Sequence, residues 1–326
     1  MAFLDEQIAK IPNNSTRIIY PEGKEPKIIE VAARIVSTGV GTPILVGDPE
    51  EIKKVADELG ASLDGIEIAN PASCPKMGEY AKVFAEASEL PEVVAELMLK
   101  KNLYFASTMV RAGDADCIIA GLTIETDEVV AANKMIIGMA EGVNTPSCIS
   151  ILDSPTYGLV ALADTAINIA PNSEELADIA ISSARTVHGM LDWTPRVAML
   201  SFSTLGSGSH ERAKLVAEAV KLANERAPEL YIDGEMQLDT AVAPDVAAKK
   251  FKRPSEVAGQ ANVLVFPNLD ASNIGVKLLQ RLAGINTNGG MLQGFAKPVS
   301  DLSRGATAEH IFRNSVMLIR SSLAQK

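Results

Sequence analysis

Aromatic residues are scarce in this sequence: they make up 4% of its 326 residues, with a single Trp. Positive charge is also short, with 30 Lys and Arg against 41 Asp and Glu, a net charge of −11. Nucleic-acid binding draws on basic surface and, for single strands, on aromatic stacking platforms, so neither is expected. Cysteine is rarer still. Cys74, Cys117 and Cys148 are odd in number and show no CxxC spacing, which argues against a disulfide framework and a cysteine zinc site. No metal is expected. The chain lacks a run of about 18 apolar residues, so no membrane span is expected. Its N-terminus, MAFLDEQIAK, carries acids early and has no basic segment ahead of an apolar one, unlike a signal peptide. A cytoplasmic protein with neither a membrane nor a nucleic-acid partner is the default expectation.

What is present is a globular composition, 47% hydrophobic and 22% charged, long enough for two domains at roughly 150 residues each. Short β-branched runs alternate with amphipathic segments: strands at 17–23, 42–47, 66–71 and 116–121, with helices at 26–39, 49–60 and near 125–138. The stretch 77–113 reads as two or three helices, one opened by Pro91. This βα alternation predicts a mainly parallel sheet covered on both faces. It breaks at 142–165, where two strand-like runs flank DSPTYG with no room for a helix. That is the pattern of an antiparallel pair and a start for a second unit. Alternation then resumes, with helices at 173–189, 210–226, 243–249, 274–282 and 307–323, and strands at 197–202, 230–235, 263–267 and 289–294.

Three stretches carry the polar chemistry. STLGSGSHERAKLV follows a strand and opens a helix, so the amides around Gly206 and Gly208 are candidates to face an anion. It lacks a P-loop ending and the full dinucleotide fingerprint. FPNLDASNIGVKLL places Asn273 where a strand hands over to a helix, with Asp270 or Ser272 as the alternative helix cap. KPVSDLSRGATAEHIFRNS sets Ser303 and Arg304 in a turn relaxed by Gly305, ahead of a helix starting near Thr307. An Arg fork beside helix-opening amides suits a phosphate. Residues 297–326 hold five basic residues against two acidic ones, opposite in sign to the whole chain, which predicts an anion-facing terminal segment.

Taken together, STLGSGSHERAKLVAEAVKLANERAPELYIDGEMQLDTA, VLVFPNLDASNIGVKLLQRLAG and LQGFAKPVSDLSRGAT resemble the phosphate acetyltransferase (phosphotransacetylase) family. The likeness extends to PEG and ILVGDP near the start. The resemblance implies two α/β domains with mainly parallel sheets, of the isopropylmalate-dehydrogenase-like type with a cleft between them. The first would span 1–144 and the second 145–294, with 295–326 returning to the first. It implies a homodimer and reversible acetyl transfer between coenzyme A and orthophosphate, with coenzyme A as substrate and no permanently bound cofactor.

On the family pattern Ser303 stabilises the transition state and Arg304 binds phosphate. Coenzyme A falls to Ser203, Thr204, Gly206, Ser207, Asn273 and Lys297. The chain departs from that pattern in places. His310 stands where the family presents an Asp as thiol base, and imidazoles, titrating near ~6.5 in water, work as bases near neutrality. Thr165 replaces a family Cys and would line the pocket. The helix after DCIIAG reads TIETDEVVAANKMI and lacks the family's anion-binding Arg, which leaves Lys134 as the candidate replacement. These departures keep butyryl or another short acyl group open, as well as a non-catalytic acyl-CoA or acyl-phosphate binding homologue. An NAD-dependent hydroxyacid dehydrogenase is disfavoured, because its cluster of metal-binding Asp residues is missing.

Overall fold

The computed structural model describes residues 2–285 and 287–325. The chain divides into two units, Met1–Glu141 with Phe295–Lys326, and Gly142–Gly294. In chain order the first unit begins with α1 (Ala2–Ala9), β1 (Arg17–Tyr20), α2 (Pro26–Thr38), β2 (Thr42–Val46), α3 (Pro49–Leu59) and β3 (Glu67–Ala69). It continues through α4 (Met77–Ser88), α5 (Glu92–Met98), α6 (Asn102–Ala112), β4 (Cys117–Ala120) and α7 (Thr126–Ile136). The second unit holds β5 (Ser147–Ser154), β6 (Gly158–Ala163), α8 (Ser173–Leu191), β7 (Arg196–Leu200), α9 (Glu211–Arg226) and β8 (Tyr231–Met236). It ends with α10 (Leu238–Val242), α11 (Pro244–Lys250), β9 (Val263–Val265), α12 (Leu269–Leu282) and β10 (Thr287–Gln293). The chain then adds β11 (Val299–Asp301) and α13 (Ala308–Leu323) to the first unit.

Local chemistry accounts for many of these boundaries. Asp48 accepts from the amides of Glu50 and Glu51 to start α3, Pro49 occupies the first turn, and Gly60 closes the helix with φ 64°. Asn172 and Glu175 form a reciprocal capping box at the start of α8. Pro91 stands at the N-cap of α5.

The first unit has the strand order β3-β2-β1-β4-β11, every pairing parallel. Its core joins Ile18, Tyr20, Ile28 and Ile35 to Ile311, Phe312, Val316 and Ile319 of α13. The terminal helix is therefore interior, not the anion-facing surface suggested by its charge. Arg313 pairs with Glu309 and Arg320 is buried, leaving Lys297 and Arg304 exposed among the basic residues described there. The second unit runs β10-β5-β6-β9-β7-β8. β5 pairs antiparallel with β10 and β6, and the remaining pairs are parallel. Leu162, Ala198, Leu200, Met236, Phe251 and Leu264 form one core there. Cys117 and Cys148 are buried in β4 and β5. Three of these elements have no counterpart in the sequence reading: α1, the five-residue α10, and the three-residue β11 that precedes the Ser303 turn.

Candidate functional site

In open parallel sheets ligands gather at the carboxyl ends of strands where the strand order reverses. In the first unit that reversal lies between β1 and β4. β11 runs parallel to β4 with Asp301 opposite Ala120, so the Leu122–Ile124 turn after β4 and the Ser303–Gly305 turn after β11 emerge at the same edge. Gly121 (φ 101°) makes the exit from β4 possible, and a Cβ there would collide with the Asp301 carboxylate.

The Ser303 turn is closed by the Ala306 amide donating to the Ser303 carbonyl (2.8 Å). Its Oγ accepts a long bond from the Gly305 amide (3.4 Å). Lys27 donates to the Ala306 carbonyl at 2.8 Å. Thr307 caps α13 by accepting from the His310 amide (3.2 Å), which puts His310 in the first turn with its side chain exposed. Ser303 and Arg304 are exposed as well, and the Arg304 guanidinium pairs with Glu125, the residue just before α7.

Acidic groups surround this turn in distinct environments. The buried Glu22, just past β1, accepts from the amides of Leu122 and Ile124 (3.1 Å each), from the amide of Thr123, and from the Thr123 hydroxyl (2.7 Å). An internal carboxylate thus fills the amide cradle after β4 that a ligand anion would otherwise use. Asp301 accepts the Thr126 hydroxyl at 2.6 Å through Oδ2, while Oδ1 is buried without a hydrogen-bond partner. Burial first, and the nearby Glu22 charge, push the Asp301 carboxyl up to about 6. Glu309 goes the other way: Arg34 (2.5 Å) and Arg313 (2.8 Å) hold its carboxyl below the usual range.

In the second unit the glycine loop turns on itself. The buried Ser203 hydroxyl donates to Glu235 Oε1 (2.7 Å) and accepts from the Gly208 amide (3.0 Å). The Gly206 amide donates to the same Glu235 oxygen at 2.7 Å. The Thr204 amide donates to Ser207 Oγ (3.0 Å), and Thr204 Oγ1 accepts from the Gln237 amide (3.0 Å). His210 then caps α9 through a ring nitrogen, accepting from the Arg212 amide. The expectation that the Gly206 and Gly208 amides face a ligand anion is therefore corrected, since Gly206 is taken by Glu235 of β8 and Gly208 by Ser203. Thr165 lies beside Ser150 (3.1 Å), next to Asp164, whose carboxylate accepts from the amides of Cys148, Ala166, Ile167 and Asn168.

Asn273 is not at the strand-to-helix handover. α12 begins at Leu269 and is capped by Asn268, which accepts from the Ala271 amide (2.9 Å). Asp270 and Ser272 are not its caps, and Asn273 sits exposed in the second turn. Its neighbour Ile274 lines an apolar cavity of about 610 Å³ at the ends of β7 and β9, with Phe202, Leu238, Phe266, Arg212 and Asp270.

The structure brings Ser303 and Arg304 together, with His310 in the next helical turn, and gathers Ser203, Thr204, Gly206 and Ser207 around Glu235. It does not bring Lys134 to Arg304. Lys134 is exposed in the last turn of α7, nine residues or about 14 Å along the helix from the Glu125 end that meets Arg304. Lys297 is exposed shortly before β11. Sequence reasoning passed over Glu22, Glu125, Glu235 and Asp301. All four lay inside strings already singled out, Glu22 in PEG, Glu125 in TIETDEVVAANKMI, Glu235 in YIDGE and Asp301 in KPVSDLSRGAT, but nothing along the chain marks which donors they meet. Among the described residues no group of three or more His, Cys, Asp or Glu side chains is arranged to hold a metal ion, and no helix is long and apolar enough to cross a membrane.

The family model described as phosphate acetyl/butaryl transferase matches residues 2–319. The phosphate acetyltransferase of Bacillus subtilis (strain 168) is 40% identical over 317 residues, covering 96% of this chain and 97% of the relative. A phosphotransacetylase structure from Streptococcus pyogenes superposes with a TM-score of 0.93 at 35% identity, over 99% of this chain and 98% of the other. A 4-hydroxythreonine-4-phosphate dehydrogenase from Klebsiella pneumoniae, with a TM-score of 0.55 at 13% identity over 94% of this chain and 100% of the other, shares the fold alone. By sequence over nearly its full length, the chain belongs to the phosphate acetyl/butaryl transferase family.

Proposed function

We propose that this chain is a phosphate acetyltransferase that interconverts acetyl-CoA plus phosphate with acetyl phosphate plus coenzyme A. The observation that carries this reading is the exposed Ser303–Arg304–Gly305 turn at the carboxyl ends of β4 and β11, in a chain similar to phosphate acetyltransferases over nearly its whole length. The family description spans acetyl and butyryl transfer, and relatives at 40% identity named for acetyl favour the shorter group.

In the synthetic direction a phosphate oxygen attacks the thioester carbonyl, the C–S bond breaks, and the sulfur leaves as a thiolate that takes a proton. In reverse, a base removes the thiol proton and the sulfur attacks acetyl phosphate, expelling phosphate. Arg304 offers a planar fork to the phosphate in both directions. The Ser303 hydroxyl donates to the oxyanion that develops on the carbonyl. His310 supplies the acid and base for sulfur, a role an imidazole performs near neutral pH.

Coenzyme A is a substrate, not a bound cofactor, and Lys297 is an exposed cation for its phosphates. In the second unit we assign its binding to Asn273, the Ser203–Ser207 loop and the neighbouring apolar cavity. That cavity's Phe202, Phe266 and Ile274 suit an adenine ring or pantetheine arm, and its Arg212 suits a phosphate. With two donors of the loop committed to Glu235, the loop acts mainly as a shaped wall. Thr165 remains a pocket-lining candidate, and we assign phosphate to Arg304 rather than Lys134, which is exposed in the last turn of α7. We also infer a homodimer acting in the cytoplasm. Leu278 and Leu282 are exposed apolar residues on α12, at 50% and 81% exposure, which a second copy would cover.

The test is a series of C2 to C5 acyl-CoA substrates, assayed for thiol release that depends on phosphate. Acetyl-CoA should turn over fastest. A sharp optimum at butyryl would reassign the acyl group, and no turnover with any member would leave only a binding protein.

A further inference from the structure

We propose that Glu125 is an internal competitor for the anion site of Arg304: its carboxylate occupies the guanidinium that phosphate must take, and so sets how much phosphate the protein needs. The inference rests on the reading that Arg304 holds phosphate.

The placement of Glu125 is unusual for its residue type. It stands at the N-cap of α7 with extended backbone (φ −68°, ψ 142°), where Ser, Thr, Asp or Asn would accept a bond from the first-turn amides. Its side chain makes no such bond and reaches instead across 179 residues of sequence to Arg304. The other nearby acids have partners of their own. Glu22 is held by the amides of Leu122, Thr123 and Ile124, Asp301 by the Thr126 hydroxyl, and Glu309 by Arg34 and Arg313. Asp127 and Glu128 follow in the first turn of α7 and add negative charge to that end of the helix. Lys27, the cation behind the turn, is bonded to the Ala306 carbonyl.

A carboxylate and a phosphate present the same kind of oxygen edge to a guanidinium, so the two exclude each other there. Both partners are largely exposed, at 64% for Arg304 and 73% for Glu125. The pair is thus open to exchange with a solute anion rather than locked in the interior. No bond is made or broken in the exchange. Glu125 swings aside as phosphate or acetyl phosphate arrives, and the reaction equilibrium is untouched, as for any catalyst.

The test measures steady-state constants for wild type, Glu125→Gln and Glu125→Ser. The expected result is a KM for phosphate lowered by roughly two- to fivefold in both variants, the size of an exposed ion pair, with the KM for acetyl-CoA unmoved. Glu125→Ser, which restores a capping hydroxyl, should also melt higher than Glu125→Gln. An unchanged or raised KM for phosphate would overturn the proposal; a raised value would mean that Glu125 positions Arg304 for phosphate instead. A second measurement does not depend on turnover: inorganic phosphate should raise the Tm of the variants more than that of wild type, and equal shifts would sink the idea. Wild-type protein that turns over no acyl-CoA, with the phosphate shifts still differing as expected, would count against the proposed reaction and not against this competition.

Discussion

The turns at 203–208 and 303–305 are both short, rich in Ser and Gly, and set between a strand and a helix, yet they use their donors in opposite ways. In the first, Ser203 and the Gly206 amide converge on the buried Glu235, and the Gly208 amide returns to Ser203. In the second, the Ser303 hydroxyl and the Arg304 guanidinium stay at the surface, and the carboxylate that meets Arg304, Glu125, is itself exposed. A glycine-rich turn is an anion site only if no internal carboxylate has already taken its amides. The same rule holds within the first unit, where Glu22 fills the cradle after β4.

The sharpest way to break this contrast is to truncate one residue in each turn's network and ask whether activity or stability falls. Arg304→Ala should lower kcat/KM for acetyl-CoA plus phosphate by about 10²–10³-fold or more, as loss of an electrostatic transition-state contact does, with Tm nearly unchanged because the pair it breaks is exposed. A loss of stability without loss of turnover would reverse the assignment. His310→Ala should lower the rate of coenzyme A acetylation by about 10²-fold; an unchanged rate would remove His310 from the chemistry.

Glu235→Ala should act on the other side of the comparison. It strands the Ser203 hydroxyl and the Gly206 amide, a cost of about 2–3 kcal/mol for buried bonds to a charged acceptor, seen as a fall in Tm of roughly 5–10 °C. A variant as stable as wild type would show that the loop does not depend on Glu235.

A finer test contrasts Asp301 with Glu309 through pH. Asp301 titrates at about 6 in the folded protein against an ordinary 3.8. Between those values the folded state holds a proton that the unfolded chain has released, so stability falls as pH rises through this window. Above it the penalty reaches at most about 3 kcal/mol. Glu309, whose carboxyl is held low by Arg34 and Arg313, contributes stability that is lost as pH falls. Asp301→Asn should therefore gain Tm relative to wild type as pH is raised from about 4 to 7. A constant difference would mean that Asp301 is not the titrating group. The phosphate KM of the Glu125 variants completes the set as the smallest expected effect.

Much of the fold was legible because its signals are local. The run from Pro49 closed by Gly60 marked α3, the stretch 173–189 matched α8, and the two runs around DSPTYG formed the antiparallel pair β5 and β6. β11 was missed because three residues after a Pro carry no alternation to read. The start of α12 was misplaced because Asn268, Asp270 and Ser272 are all competent caps, and only the position of the helix selects Asn268. At the site, Arg304 stood out by residue type ahead of a helix start, while the roles of Ser303 and His310 rested on the family resemblance. The charge excess of the last thirty residues misled, because composition does not reveal that Arg320 is interior and Arg313 already paired.

The sequence alone therefore determined the βα alternation, several helix ends such as Gly60 after α3, and the Ser-Arg-Gly turn, since periodicity, capping and backbone freedom act over a few residues. Tertiary structure decided which carboxylate meets which donor: Glu22 with the turn 100–102 residues on, Glu235 with Ser203 and Gly206, Glu125 with Arg304. Those pairings are decided by strand order, which brings distant turns to one edge of a sheet. The geometry across that edge, not the pattern along the chain, separates an amide cradle that is already filled from an Arg that a solute can still reach.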